Sequence, residues 1–280
     1  MENQSTEANE AQKRQEKEDK LFRIGVILDF NTAFIWRNVV QTDKPVFQPC
    51  VSGDFTGIEN FRFGFCYWQG WDLSSDRRDI YHRRLNESDY SIRAGCTAWQ
   101  TEDAATSLDL EFGHEWYTYH FERREGGSSL SPSTREFYLK ASFTNPIVGV
   151  YGQVSWLYDK IQDMDTGFYY ELGLKKEFDL ASVLAVKEET LALGLDWNTS
   201  FGDKDYNYFM TGCSEGGFLG TTAKIYLTWN ITDLISLMGT FAYGTSELRR
   251  PPRLRRIGLR RRQGCPLGRL PPVLQLLRFG

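Results

Sequence analysis

Few residues in this chain are spaced for catalysis. His114-Glu115 opens like His-Glu-x-x-His, which sets two imidazoles one helical turn apart on a zinc ion. Position 118 is Thr, however, and the flanking residues alternate as in a strand. Only three histidines occur, His82, His114 and His120, so a histidine-rich metal site is not expected. Asp203-Lys-Asp205-Tyr-Asn207 and Asp163-Met-Asp165 begin like calcium loops but lack the sixth-position Gly and the closing Glu. A solvated loop is the simpler reading of both, and a weak divalent-cation site is the alternative. Asp109 and Glu111 could pass for a glycosidase pair. At i and i+2 of a strand they are same-face neighbours about 6.6–7 Å apart, a spacing that any polar strand face repeats. No Gly-x-Ser-x-Gly, phosphate loop or dinucleotide fingerprint occurs. The five cysteines form no Cys-x-x-Cys pair, and their odd number leaves at least one thiol unpaired in an exported protein. The expectation is a non-enzyme without cofactor or metal.

What remains is electrostatic. Asp29, Arg37, Arg62, Asp109, Glu111, Glu136, Lys140, Glu171, Lys175, Asp196 and Lys224 share one property: each falls on the polar side of a run in which apolar residues recur every second position. Eleven charges on one face of a set of strands could line a wet passage and bias which ions pass. Six are acidic and five basic, so little selectivity, at most a mild preference for cations, is expected. Cross-strand ion pairing that merely solvates a wall is the alternative for each residue.

The elements that would carry these charges are strands. Runs such as Ile24, Val26, Leu28, Phe30, then Phe34 and Trp36, and Phe61, Phe63, Phe65, Tyr67, alternate with polar residues. So do Leu108–Phe112, Phe137–Phe143, Phe168–Leu174, Leu191–Trp197 and Ala223–Trp229. Weaker runs near 46–54, 90–100, 148–158 and 235–243 bring the total to about 11 strands between residues 21 and 248. Short turns such as Thr144-Asn145-Pro146 alternate with long polar connections at 72–89, 121–133 and 201–217. Residues 179–188 fit either a helical turn or a loop. No run approaches the roughly 18 apolar residues of a membrane helix, but barrel strands hide their apolar residues by alternation.

Aromatics make up 15 % of the chain and cluster near strand ends. Phe34, Trp36, Tyr67, Trp116, Trp156, Tyr158, Trp197, Trp229 and Tyr243 fit the girdles of a membrane barrel. The expected fold is an all-β, antiparallel, up-and-down transmembrane β-barrel of about 12 strands in a bacterial outer membrane. A soluble β-sandwich or lipocalin-like barrel is the alternative, because periodicity is the same in both.

The stretch 34–49, Phe-Ile-Trp-Arg-Asn-Val-Val-Gln-Thr-Asp-Lys-Pro-Val-Phe-Gln-Pro, resembles the N-terminal signature of the TorF-like porin family. There a first strand ends in an aromatic-x-x-Arg-Gly step, and Gln-Thr and Pro-Val-x-Gln lead into the second. Arg37, Gln41, Pro45, Val46 and Gln48 match. Asn38 replaces the Gly, and Asn is the next most tolerant residue for positive φ. Gly194–Asn198 also fits the family's style. The resemblance spans residues 24–245 and implies an outer-membrane barrel with no catalytic residues to carry over. The expected function is a porin-like channel for passive diffusion of small hydrophilic solutes or ions. A filled barrel serving as surface anchor or adhesion platform is one alternative, and a soluble ligand-binding β-protein is another. The expected partners are the lipid bilayer of the outer membrane, the barrel-assembly machinery and small solutes.

The two ends differ from this body. Residues 1–20 are charged and lack the apolar core of a signal peptide, so they read as a disordered tail. Taken literally this points to the cytoplasm; the preferred reading is a chain that starts after cleavage or at a misplaced start codon. Residues 249–280 hold ten Arg and no Lys, Asp or Glu. That leaves 23 of the 33 basic residues and all 37 acidic ones in residues 1–248, a net of −14 masked by the overall −4. A basic arm for nucleic acid or anionic lipid is one reading. A stretch translated out of frame is the preferred one, and nucleic acid is not expected as a partner. It would replace the true last strand, leaving a closing strand lost or disrupted.

Overall fold

In a computed structural model, residues 21–42, 44–58, 60–73, 86–119, 133–158, 166–180, 191–211, 215–232, 235–247, 267–269 and 273–279 are described. The tail at 1–20, residues 181–188 of the helix-or-loop segment, Asp163 and Asp165, His82 and His120, and most of the Arg/Pro-rich tail lie outside them.

Eleven long strands form one antiparallel sheet in chain order: β1 (Phe22–Asn31), β4 (Val46–Ile58), β5 (Phe61–Asp72), β6 (Asn86–Gln100), β7 (Ser107–Tyr119), β8 (Ser133–Thr144), β9 (Gly149–Leu157), β10 (Gly167–Asp179), β11 (Leu191–Gly202), β12 (Gly217–Thr232) and β13 (Ile235–Glu247). At 9–16 residues, each is long enough to cross a bilayer at a tilt. A small hairpin, β2 (Phe34–Trp36) with β3 (Val39–Thr42), interrupts the first connection. A helix, α1 (Lys204–Thr211), lies in the connection from β11 to β12.

The eleven-stranded sheet does not close on itself, because β1 and β13 are not neighbours. The C-terminal strand β15 (Val273–Phe279) lies between them, antiparallel to both. It pairs four residues with β1 and five with β13, with a register break on each side. The short β14 (Leu267–Arg269) continues along β13. Pro271-Pro272 stands between β14 and β15, where proline cannot donate to the ladder. The closing strand is therefore disrupted rather than lost, and the pairing runs round twelve strands, the even number expected of a barrel.

The sides of the wall are inverted relative to a soluble protein. Ile24, Phe63, Ile92, Phe112, Leu139, Leu172, Leu195, Ile225 and Phe241 are exposed on the outer face. Among the described residues, buried polar side chains outnumber buried apolar ones; Thr134, Glu136, Ser155 and Ser200 are fully inaccessible. In water such a surface would aggregate; in hydrocarbon it is the required one. Trp156, Trp197, Trp229 and Tyr243 stand on the outer face as the girdle reading requires. Phe34 and Trp36 do not: they belong to the inward hairpin, because β1 ends at Asn31.

The inner face is built from tyrosines laid over glycines. Tyr138 sits over Gly113, Tyr151 over Gly173 and Tyr226 over Gly194, each directly opposite its glycine on the neighbouring strand. Each phenol then reaches a carboxylate: Tyr138 donates to Glu111 at 2.9 Å, Tyr151 to Asp196 at 3.3 Å and Tyr226 to Glu177 at 2.8 Å. Valine at position 194 would put its Cβ inside the Tyr226 ring, whereas nothing lies within 4 Å of a Cβ at Gly239. We expect Gly194→Val to destabilise the barrel by about 1–3 kcal/mol and Gly239→Val to change it by less than about 0.5 kcal/mol. Urea unfolding in detergent micelles checks this; equal losses would contradict the role of the tyrosine–glycine contact.

Candidate functional site: a hairpin across the lumen

The hairpin formed by β2 and β3 folds into the barrel. Its two-residue turn is Arg37-Asn38, with φ of 51° and 64°. Positive φ at both central residues is the signature of the turn whose twist matches a two-stranded hairpin. Asn38 tolerates this; Arg37 bears a cost of about 1 kcal/mol, so other interactions must hold it.

They are numerous. Arg37 is 7 % exposed in its side chain and donates to both carboxylate oxygens of Glu136 on β8. It also donates to the phenol of Tyr206 on α1, and lies 3.5 Å from both the Tyr117 hydroxyl on β7 and Ser155 Oγ on β9. Glu115 adds a carboxylate at 3.8 Å. The guanidinium lies over the rings of Trp36 and Tyr169, 4.7 and 4.4 Å from their centroids. Burial is the largest influence and would lower its pKa, but the Glu136 carboxylate and the Tyr206 and Tyr117 phenols together outweigh it, so the pKa is raised and the group stays charged. Burial pushes the Tyr206 phenol above its ordinary value.

Asn38 fixes the other half of the turn. Its amide donates to Ser200 Oγ at 2.9 Å and to the Gly220 carbonyl at 3.3 Å, and its oxygen accepts from Thr222. Behind the tip, Phe34 packs on Trp68 of β5 with ring centroids 5.4 Å apart, while Ala33 and Ile35 meet Ala242 of β13. The hairpin thus touches the wall on both sides.

Helix α1 completes the obstruction. Asp203 caps it: one carboxylate oxygen accepts from the amides of Asp205 at 3.1 Å and Tyr206 at 2.8 Å, the other from the Phe168 amide at 2.9 Å. The calcium-like spacing at Asp203-Lys-Asp205 is therefore a helix start. Tyr206 and Met210 from the helix, Val39 from the hairpin and Leu157, Tyr169 and Leu219 from the wall form a buried apolar cluster, with Trp36 packed against it.

Next to this cluster the lumen opens into a cavity of about 840 Å³. Arg37, Lys140, Glu171, Lys175, Asp196 and Lys224 line it, six of the eleven charges singled out in the sequence. Lys175, Asp196 and Lys224 are directly opposite one another on β10, β11 and β12. Lys175 pairs with Glu177 at 3.1 Å, and Lys140 lies 5.2 Å from the Tyr151 ring centroid. Arg62, Asp109 and Glu111 form a separate group on β5 and β7, in which Arg62 bridges the two carboxylates at 3.5 and 3.8 Å. Asp29 stands on β1 opposite Gln48 of β4 and Arg278 of β15.

Arg37 is not on the wall, where alternation placed it, because the chain reverses at Arg37-Asn38. Glu136 is its buried partner rather than an open charge. The tyrosines at 117, 169 and 206 were not singled out in the sequence; the only signals were Asp203 as a helix cap and the Arg-Asn turn. His114 and Glu115 point to opposite faces of β7: His114 Nε2 meets the Tyr158 hydroxyl at 2.6 Å, whereas Glu115 accepts from Tyr117. Among the described residues, no cluster of three or more His, Cys, Asp or Glu is placed to hold a metal.

An apolar outer face, a polar inner face and antiparallel strands returning to their start leave one setting. The chain is a membrane-spanning β-barrel. No family model matches it, and no curated protein does. Among solved structures it is similar to the translocator domain of autotransporter NalP from Neisseria meningitidis, at 12 % identity over 99 % of this chain and 97 % of that one, with a TM-score of 0.48. It is also similar to outer membrane phospholipase A from Escherichia coli, at 12 % identity over 91 % of each chain and a TM-score of 0.44. The outer membrane channel DcaP of Acinetobacter baumannii matches at 8 % identity over 92 % of this chain and 96 % of that one, with a TM-score of 0.42. At such identities none carries a residue or an activity over to this chain. The expectation of a non-enzyme nevertheless needs correction: a phospholipase is among the similar barrels, so the exclusion of catalysis does not stand, while 12 % identity does not make this chain an enzyme.

Removing the Arg37 guanidinium would strand Glu136 and Glu115 without their cation. We expect Arg37→Ala to cost about 3–5 kcal/mol and Arg37→Lys to recover only part, since an ammonium cannot fill the two-pronged Glu136 contact. Denaturant unfolding in micelles checks this; a loss below about 0.5 kcal/mol for Arg37→Ala would contradict the burial of the pair.

Proposed function

We propose that the protein is a passive channel for small hydrophilic solutes or ions, narrowed where the β2–β3 hairpin crosses the lumen. The observation that carries this reading is the 840 Å³ cavity, whose wall bears both signs of charge beside the hairpin. A lumen lined by Lys140, Lys175, Lys224, Glu171, Glu177 and Asp196 offers a polar path whose charges nearly cancel, so selectivity would be weak. The TorF-like signature at 34–49 spans this hairpin and the start of β4, and kinship with that porin family is part of this reading. Assembly by the barrel-assembly machinery belongs to the same reading.

The second reading, a filled barrel used as a surface anchor, is favoured by the buried Arg37–Glu136–Tyr206 contacts, which hold the hairpin in place. Planar-bilayer recording separates the two. We expect small conductance steps from the intact protein and a several-fold rise when residues 33–42 are replaced by a short Gly-Ser linker. Lys175→Glu combined with Lys224→Glu should shift the reversal potential towards cation preference. No steps from either the intact protein or the linker variant would sink the channel and leave the anchor.

A further inference from the structure

We propose that Cys50 and Cys66 form a disulfide that staples β4 to β5 on the lumen side of the wall. By register Cys50 faces Trp68 and Ser52 faces Cys66, so the two cysteines are diagonal neighbours across one antiparallel pair. They alternate with Val51 and Phe65, which are exposed on the outer face, and therefore both point inward. Their sulfurs are 2.7 Å apart. A disulfide needs about 2.05 Å, so the two thiols already stand close to bonding distance.

The setting selects this pair. Cys96 stands opposite Phe61, an outward residue, and so occupies the other face of the sheet. Cys213 and Cys265 lie outside the described residues. The bacterial periplasm is oxidising, so two inward thiols at this distance meet an oxidant before or during insertion. The oxidant is a disulfide-exchange donor, for which oxidised glutathione stands in. The thiolate of one cysteine attacks the donor disulfide and expels one thiol, giving a mixed disulfide. The second cysteine's thiolate then attacks the protein sulfur and expels the other. Two protein thiols are oxidised, one donor disulfide is reduced to two thiols, and the protons balance.

The staple would sit at the root of the hairpin. Trp68, opposite Cys50, carries the ring on which Phe34 packs, so the bond would fix the pair of wall strands against which β2 leans.

Trypsin tests this without any variant. Cleavage after Arg37 and Arg62, with Lys44 protected by Pro45, puts Cys50 in peptide 38–62 and Cys66 in peptide 63–77. The full chain in detergent is incubated with oxidised glutathione, unfolded without reductant, alkylated with iodoacetamide and digested. The expected product is the two peptides joined and two hydrogens lighter than their sum, separating into two alkylated peptides when dithiothreitol precedes alkylation. Cys96→Ser should give the same joined species. Recovery of 38–62 and 63–77 as separate alkylated peptides from the oxidised sample would overturn the proposal. So would either peptide joined to one carrying Cys96, Cys213 or Cys265.

Discussion

Hydrocarbon offers no partner to a backbone amide, and this constraint governs the molecule. Each unpaired N–H or C=O in the bilayer costs several kcal/mol, so a sheet that crosses a membrane must return to its first strand. Here eleven strands pair along nearly their whole length, and the twelfth place is filled by seven residues with a broken register on each side. The seam between β13, β15 and β1 is the weakest part of the wall, because it has the fewest backbone bonds to hold it.

Closure also decides where polarity goes. With lipid outside, every second side chain is free to be polar only if it faces inward, and the inner face then has to be packed or hydrated. This chain does both. The tyrosine–glycine pairs at 138–113, 151–173 and 226–194 thicken the wall and aim phenols at carboxylates. The hairpin and α1 pack the lumen around Arg37, and a charged cavity remains beside them. One cation serves Glu136, Glu115 and two aromatic faces at once, which explains why an Arg is tolerated at φ 51°.

Most of the wall was legible in the sequence because period-two alternation is a direct consequence of lipid on one side and water on the other. The runs at 61–67, 137–143, 168–174, 191–197 and 223–229 all fall inside single strands. The hairpin was not legible as such: Phe34-Ile35-Trp36 continues the alternation of β1, so nothing in hydropathy marks the inward turn. Only Arg37-Asn38 signals it, through the tolerance of Asn for positive φ. Helix α1 was read as a loop because eight residues are too few to show helical periodicity, and its Asp203 cap looked like the start of a calcium loop. β15 lay hidden in a segment whose arginines and prolines argue against pairing. The cavity charges could be named one by one, but their grouping into Lys175–Asp196–Lys224 and Arg62–Asp109–Glu111 depends on register, which alternation alone does not set.

The central claim is a closed barrel embedded in lipid, and gel mobility of the membrane fraction tests it most directly. Extracted in mild detergent and run unboiled, the protein should migrate as a compact species distinct from the boiled, unfolded chain. A protein found in the soluble fraction, with the same mobility before and after boiling, would contradict the account.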